Sequence, residues 1–144
     1  MRSVLVIDHR SALAALAAIR EAVESERKTA AIAIVDAHGE LLAFARLDGT
    51  LLSSGVLAVN KAYTAARLNR PSRVLGETLR ARGTDVAFYG DPRYVGFGGG
   101  LPVLRDGVVI GGIGVSGLSD AEDEALAALG VSLLQGDPPI TTSV

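Results

Sequence analysis

Over residues 101–117 the sequence reads LPVLRDGVVIGGIGVSG, and this stretch decides the fold. Asp106-Gly107 lies between two apolar runs, which is the strongest short-range signal of a two-residue β-hairpin. Strands that are joined by so tight a turn pair in antiparallel fashion. Glycine normally weakens a strand, yet this stretch contains Gly111, Gly112, Gly114 and Gly117. We therefore expect a close approach to this strand, by a covering helix of the same subunit or, as the rarer alternative, by a neighbouring subunit or a flat ligand.

An earlier pair of strands is predicted by a similar pattern. Residues 31–35 form a short apolar run rich in β-branched side chains, and residues 41–47 form a second apolar run. Between them, residues 36–40 read DAHGE, which is typical of a turn, and Gly39 can take the positive φ that such a turn requires. A second antiparallel hairpin is therefore expected.

Helical periodicity marks four further segments, at about residues 10–27, 54–70, 72–83 and 120–134. Asp8 is expected to cap the first helix, Ser53 or Ser54 the second, and the capping box Ser119-x-x-Glu122 the last. Pro71 separates the two middle helices because the residue before a proline leaves the helical region.

The resulting order is α-β-β-α-α-β-β-α, in which helices must cover the faces of an antiparallel sheet. The fold class is therefore a layered α+β domain, and residues 1–135 are expected to form one domain. Residues 84–100 are rich in Gly, Pro and Asp without a period, and a loop of this length is usually functional. Residues 136–144 contain two prolines and no period, so a flexible C-terminal tail is predicted.

Composition excludes several classes of function. The chain has 144 residues, a net charge of −2 and no cysteine. A chain with a net charge so close to zero shows no excess of basic residues that would indicate nucleic-acid binding. The absence of cysteine excludes disulfides and thiolate metal sites. No apolar run approaches the ~20 residues of a membrane span, and Asp8-His9-Arg10 interrupts the apolar start that a secretory signal would need. A cytoplasmic protein without membrane or nucleic-acid partners is expected.

Several motifs occur in one order that resembles the GlcG/HbpS-like family, which includes the C-terminal domain of PduO-type proteins. Residues 60–66, NKAYTAA, are similar to the family's KAxTA helix, and residues 98–102 match its GGGLP turn. Asp106-Gly107 with residues 110–117, IGGIGVSG, resembles its DG…IGAIGVSG hairpin, and Asp123-Glu124 resembles the DE at the start of its last helix. The resemblance spans about residues 8–134.

The resemblance implies a profilin-like fold with about five antiparallel strands between helices. It also implies self-association, because relatives form dimers, tetramers or octamers, and it implies a small ligand. Several relatives bind haem or act in haem sensing and degradation, so haem is the candidate cofactor. Others accompany glycolate-utilisation or corrinoid-adenosylating proteins and have no assigned reaction, so the family implies the fold more strongly than the function.

Lys61 is the most suggestive single residue. It stands on a helix of mostly apolar or small residues, where a lysine can point into a pocket and anchor a carboxylate or a propionate. The alternative is a surface or interface lysine with a buried stem. The glycines Gly98, Gly99 and Gly100 can either approach a ligand and form an anion nest, or merely let the chain turn into the strand. We expect Lys61 and this turn to share one concavity.

The remaining polar candidates are Arg46, Asp48, Ser116, Asp123 and Glu124. A carboxylate beside a desolvated lysine can move a proton, which would make Lys61, Asp48, Asp123 and Glu124 the catalytic set. In the alternative, Asp48 stabilises a turn, and the other two carboxylates favour the positive end of the last helix. Ser116 lacks the GxSxG spacing of a nucleophile elbow and is expected to bind ligand rather than to react.

A haem iron would need an imidazole, a phenolate or a sulfur ligand. The candidates are His9, His38 and Tyr94, followed by Tyr63 and Tyr89, whereas Met1 is terminal. Neither histidine has a second one at i+4, so no histidine-pair metal site is expected. Each histidine is more often a plain surface residue.

Two functional hypotheses follow from these residues. In the first, a homo-oligomer of two to eight subunits binds a flat anionic ligand such as haem. The groove would be lined by Tyr63, Phe97 and the glycine-rich strand, with Lys61 or an arginine meeting the propionates and Arg46 among the ligand-binding residues. In the second, a small enzyme acts on a carboxylated or carbonyl metabolite at a subunit-interface pocket by acid–base chemistry. A purely structural oligomer is the third, less specific reading.

Overall fold

The computed structural model describes residues 3–136 and 140–143, and it confirms the α+β class. The helices are α1 (His9–Ser25), α2 (Leu52–Leu68), α3 (Ser72–Arg82) and α4 (Asp120–Gly136), with a short 3-10 turn at Val86–Tyr89. The strands are β1 (Ser3–Val6), β2 (Ala31–Asp36), β3 (Leu41–Arg46), β4 (Gly100–Arg105), β5 (Val108–Ser116) and β6 (Ile140–Ser143). From α1 to α4 the order is the predicted one.

The main sheet has four strands in the order β3-β2-β5-β4, and every neighbouring pair is antiparallel. Both predicted hairpins are present, and the turn between β4 and β5 places Asp106 and Gly107 at positive φ, 50° and 79°. About five strands were expected, whereas the described residues give four here and a separate pair elsewhere.

That separate pair joins the two ends of the described chain. Strand β1 pairs with β6 in antiparallel register, from Ser3 opposite Ser143 to Val6 opposite Ile140. The sequence predicts a flexible tail over residues 136–144, and the structure ends α4 at Gly136 and gives residues 140–143 as β6. Residues 137–139 and 144 lie outside the described residues. Local periodicity could not show this pairing, because each strand is only 4 residues long and its partner is at the far end of the chain.

Strand β2 is buried on both faces, which explains why residues 31–35 are all apolar. On one face Ile32 and Ile34 pack with α1 and α4, in a core that includes Ile19, Ile113 and Ala127. On the other face Ala31, Ala33 and Val35 pack with Ala58, Ala62 and Ala66 of α2. The sheet is therefore a middle layer, with two helices on one side and α2 on the other.

The glycines of β5 serve this helix-on-sheet packing, as the covering-helix prediction required. A Cβ at Gly112 would lie 2.6 Å from the Ala62 carbonyl oxygen. One at Gly114 would press on the Ala58 carbonyl oxygen and lie 2.7 Å from the Ala62 nitrogen. Any larger residue would push α2 off the sheet. The position of Lys61, on α2, depends on this close approach.

The helix caps agree with the sequence in two of three cases. The Ser11 amide donates to Asp8 Oδ1 at 2.6 Å, and the Glu122 amide donates to Ser119 Oγ at 3.2 Å. The predicted serine cap of α2 is wrong, because the helix begins at Leu52 after Leu51, without a side-chain cap. Ser53 and Ser54 lie inside its first turn.

Candidate functional site

Lys61 forms a buried ion pair near the centre of the molecule. Only 2% of Lys61 and 1% of Asp123 is exposed. The Lys61 ammonium donates to Asp123 Oδ2 at 3.3 Å and to the Val115 carbonyl oxygen at 3.0 Å, while Asp123 Oδ1 accepts from the Leu118 amide at 3.1 Å. Desolvation raises the pKa of the Asp123 carboxyl, although the Lys61 charge and the Leu118 amide oppose that rise. Both partners are satisfied by protein atoms.

The triple-glycine turn closes over this ion pair. Gly99 has φ +126°, and a Cβ there would lie 3.0 Å from Lys61 Nζ. The Gly98 amide donates to Asp120 Oδ2 and the Gly100 amide to Ser72 Oγ, each at 2.9 Å. Lysine and turn thus converge as the sequence predicts, but protein atoms fill the space between them where a concavity was expected. The glycines here permit a close turn, and two of their amides already have protein acceptors.

The other polar candidates lie around this centre without joining it. Ser116 is buried one residue after Val115, at the end of β5. Glu124 accepts from Arg73 Nε at 2.9 Å, and exposed Asp48 uses its carbonyl oxygen to accept from Thr29. Among the described residues, no hydrogen bond or ion pair connects Asp48 or Glu124 to Lys61. The structure therefore brings together Lys61 and Asp123 of the proposed catalytic set, and leaves the other two apart.

Tyr63 belongs to a different cluster, which ties the 84–99 loop to α2. Its buried hydroxyl donates to Asp91 Oδ2, and the Arg93 guanidinium lies 4.1 Å from its ring centroid. Arg93 also donates to both Asp91 oxygens at 3.0 Å. The Arg93 side chain, and then the Tyr63 hydroxyl, hold the pKa of Asp91 far below its ordinary value of 3.8, whereas burial raises the pKa of Tyr63. Tyr63 is thus a structural anchor, and it does not line an open groove.

Sequence reasoning missed this cluster, although one signal for it was present. The aromatic residues are concentrated in residues 88–97, and Tyr94 packs on Tyr63 with ring centroids 5.4 Å apart. Arg67 approaches the Tyr63 ring at 5.1 Å from the α2 side. Arg67 and Arg93 each lie close to a tyrosine in the sequence, and this pattern could have indicated a cation–π cluster.

The described residues include three concave regions that a ligand could enter. The β3–α2 groove has a volume of about 680 Å³ and is lined by Leu41, Phe44, Arg46, Leu52, Gly55, Val56, Val59 and Asn60. The hairpin-end cavity, of about 420 Å³, is lined by Leu5, Val6, Asp36, Ala37, His38, Val108, Val109 and Ile110. The third region, around Phe97, has two lobes of about 310 and 500 Å³. Lys61 lines none of the three, and Arg46 lies in the first while Phe97 lies in the third.

The candidate iron ligands lie in three different places. His38 lines the hairpin-end cavity, in a turn that is fixed because the His38 and Glu40 amides donate to Asp36 Oδ1 at 2.8 and 3.0 Å. His9 is exposed at the first position of α1. Tyr94 is half-buried and lines a lobe of the Phe97 region. His38, which is exposed, is therefore the candidate histidine that lines a cavity with mostly apolar walls.

Residues 3–136 and 140–143 contain neither a metal-binding cluster nor a membrane-spanning helix. No three His, Asp or Glu side chains there are grouped so that they could hold a metal ion. No helix in that part of the chain combines the length and the apolar character that crossing a bilayer requires.

Comparison with known proteins agrees with the architecture. The sequence model of the family described as "Haem degrading protein HbpS-like" matches residues 7–132. Protein GlcG of Escherichia coli K12 is 32% identical over 116 residues, which are 81% of this chain and 85% of GlcG. The corrinoid adenosyltransferase PduO of Salmonella typhimurium is 34% identical over 108 residues, or 72% of this chain, and the chain spans 31% of PduO's length.

Among solved structures, the one described as the PduOC:heme complex superposes with a TM-score of 0.81. Its sequence is 28% identical, and the match covers 90% of this chain and 95% of that one. The family match begins just after β1 and ends within α4, so it includes the whole main sheet, and the resemblance found in the sequence is confirmed. The chain belongs to the HbpS-like family.

Proposed function

We propose that this protein binds haem, or a similar flat and anionic macrocycle, in the hairpin-end cavity with His38 as the axial ligand. The observation that carries the proposal is the position of His38, an imidazole at the edge of a cavity of about 420 Å³. Family membership and the haem named for a related structure support this ligand class.

The residues of the cavity fit the demands of such a ligand. A macrocycle needs apolar walls, and Leu5, Val6, Val108 and Ile110 supply them. Its iron needs one protein nitrogen, which the His38 imidazole would provide. Its propionates need a cation. Arg67 does not line the cavity, but it is adjacent to it, because its Nη1 donates to the His38 carbonyl oxygen at 3.4 Å. Haem, once bound, would supply an iron centre for ligand exchange or electron transfer.

We also propose that the protein self-associates through the β3–α2 groove, into a homo-oligomer of between two and eight subunits. The groove combines Leu52, 75% exposed, with Val56, 63% exposed, and Phe44, 41% exposed. Monomeric proteins rarely leave so many contiguous apolar side chains in water. Strand β3 is also an edge strand, and a second subunit would cover it.

The acid–base enzyme is the less favoured function. Its central residue, Lys61, is held in an ion pair that protein atoms enclose, and its carboxylate partner has no described opening to a substrate. A catalytic lysine must reach the reacting atoms, so the geometry gives this hypothesis no specific support.

Titration of the protein with hemin tests the proposed function. The wild type should give a saturable shift of the Soret band, and His38→Ala should remove the ligand-field features of axial histidine. His9→Ala and Tyr94→Phe are the matched controls and should bind hemin as the wild type does. The assignment of His38 is wrong if His38→Ala leaves the spectrum unchanged or if His9→Ala removes those features.

A further inference from the structure

We propose a second small-molecule site, in the Phe97 region, that binds a free α-amino acid with a large apolar side chain. The region consists of two lobes that share Arg80, Gly96 and Phe97, so a single ligand can occupy both. One lobe is apolar and the other is charged, which matches a molecule with an apolar end and a zwitterionic end.

The apolar lobe would hold the side chain of the ligand. It has a volume of about 310 Å³, and its walls include Leu79, Val86, Tyr94 and Val95. Phe97, 56% exposed, stands where the two lobes meet. An exposed aromatic ring gains stability when a second apolar or aromatic group packs against it. The lobe thus favours an aromatic or branched side chain over a short one.

The charged lobe has one arginine available for a carboxylate. Arg73 is already paired, with its Nε 2.9 Å from Glu124 and its Nη1 3.4 Å from Glu77. Arg80 forms no ion pair with any described residue, and it faces both lobes. Because arginine binds carboxylates through two parallel hydrogen bonds, Arg80 is the natural partner for the ligand's carboxylate.

The same lobe has an excess of negative charge for an ammonium group. Its lining contains three carboxylates, Glu77, Asp120 and Glu124, against two arginines. Once Arg80 is neutralised by the ligand, this excess is larger. A ligand with only a carboxylate would leave this excess negative charge uncompensated. An α-amino acid compensates it, because its ammonium group lies next to its carboxylate.

The walls of the site are held in place before a ligand arrives. Gly76 of α3 and Gly96 of the loop are in direct backbone contact, since a Cβ at Gly96 would lie 2.6 Å from the Gly76 Cα. The Phe97 carbonyl oxygen accepts from Ser72 Oγ at 2.6 Å, and the next amide donates to Asp120. A preorganised wall lowers the entropy cost of binding.

Titration of the full chain with L-phenylalanine, followed by amide NMR shifts, tests the site. A ligand of this size is expected to bind with a Kd of about 1 mM or tighter. The shifts should be concentrated at residues 79–80, 86 and 94–97. Two analogues complete the test: 3-phenylpropionate lacks the ammonium group and 2-phenylethylamine lacks the carboxylate, and each should bind at least about tenfold more weakly.

Arg80→Gln should weaken phenylalanine binding by about tenfold or more, because it removes the charged partner of the carboxylate. Arg82→Gln is the control, since Arg82 is an exposed arginine of the same last helical turn and does not line the site. The proposal is overturned if phenylalanine gives no saturable shifts, if both variants bind equally, or if 3-phenylpropionate binds as tightly as phenylalanine. The outcome is independent of hemin binding, because the two cavities share no lining residue.

Discussion

At the scale of single residues, the Lys61–Asp123 pair gives the most definite prediction about the free energy of unfolding. A charge that loses its buried partner costs about 3–5 kcal/mol, whereas replacing both partners by apolar residues is often neutral. We therefore expect Lys61→Met to lower the free energy of unfolding by about 3–5 kcal/mol and Lys61→Met/Asp123→Leu to recover most of that loss. Urea denaturation at an unchanged m-value measures both.

Lys28→Met is the control for this pair. Lys28 pairs with Glu122 at 2.6 Å, but their side chains are 40% and 44% exposed. Removing an exposed pair should cost no more than about 1 kcal/mol. If Lys61→Met lowers the free energy of unfolding no more than Lys28→Met does, the buried pair does not stabilise the packing of α2 against α4.

The pH dependence of the Lys61→Met variant gives a second test at this scale. The pKa of Asp123 is raised in the fold, and without the Lys61 charge it should rise further. A carboxyl group whose folded pKa exceeds its unfolded value stabilises the fold as it becomes protonated. The variant should therefore regain stability, relative to the double variant, as the pH falls from neutrality towards the ordinary aspartate value of 3.8. If the difference in free energy of unfolding between the single and the double variant stays constant over that pH range, Asp123 is not buried and unpaired in the single variant.

At the scale of secondary-structure elements, the packing of α2 on β5 limits what β5 can contain. Gly114→Ala places a methyl group against the Ala58 carbonyl oxygen, so it should cost about 1–3 kcal/mol or more through overpacking. Gly136→Ala is the matched control, because a Cβ there meets nothing within 4 Å. Thermal or chemical denaturation of the two variants measures the difference, and equal stabilities would refute the close approach of helix and strand.

A second prediction at this scale concerns the contacts that attach the 84–99 loop to α2. Asp91→Asn removes the charge that Arg93 and Tyr63 share, so the amides of residues 86–97 should exchange hydrogen faster at neutral pH. In the wild type the depressed pKa of Asp91 supplies stability that is present above its ordinary value of 3.8 and lost only well below it. Hydrogen exchange should therefore show the loop still protected near pH 4. Equal exchange in variant and wild type would contradict the proposed attachment.

At the scale of the whole molecule, the sequence predicted the layers better than the sites. Periodicity, the Asp106-Gly107 turn and the strand glycines are local signals, and all of them were realised. The pairing of β1 with β6 and the Tyr63–Asp91 contact join residues that no local pattern connects. The sequence indicated that Lys61 is unusual and lies close to the glycine turn. Its ion pair with Asp123 could not be predicted, because it depends on how the start of α4 packs against α2.

Self-association also belongs to this scale, and it can be tested at the β3–α2 groove. Leu52→Glu places a charge in the proposed interface and should shift the oligomer to smaller species in light scattering after gel filtration. Leu13→Glu is the control, because Leu13 is 51% exposed on α1 and does not line the groove. A Leu52→Glu variant of unchanged mass would rule out this face as the interface.

The position of a bound iron tests the proposed function most directly. Crystals of the hemin complex, measured at the iron absorption edge, would locate the metal by its anomalous scattering. An iron peak within bonding distance of a His38 imidazole nitrogen, in the cavity lined by Leu5, Val6 and Val108, is the result that we predict. An iron peak at His9, at Tyr94 or in the β3–α2 groove would contradict it.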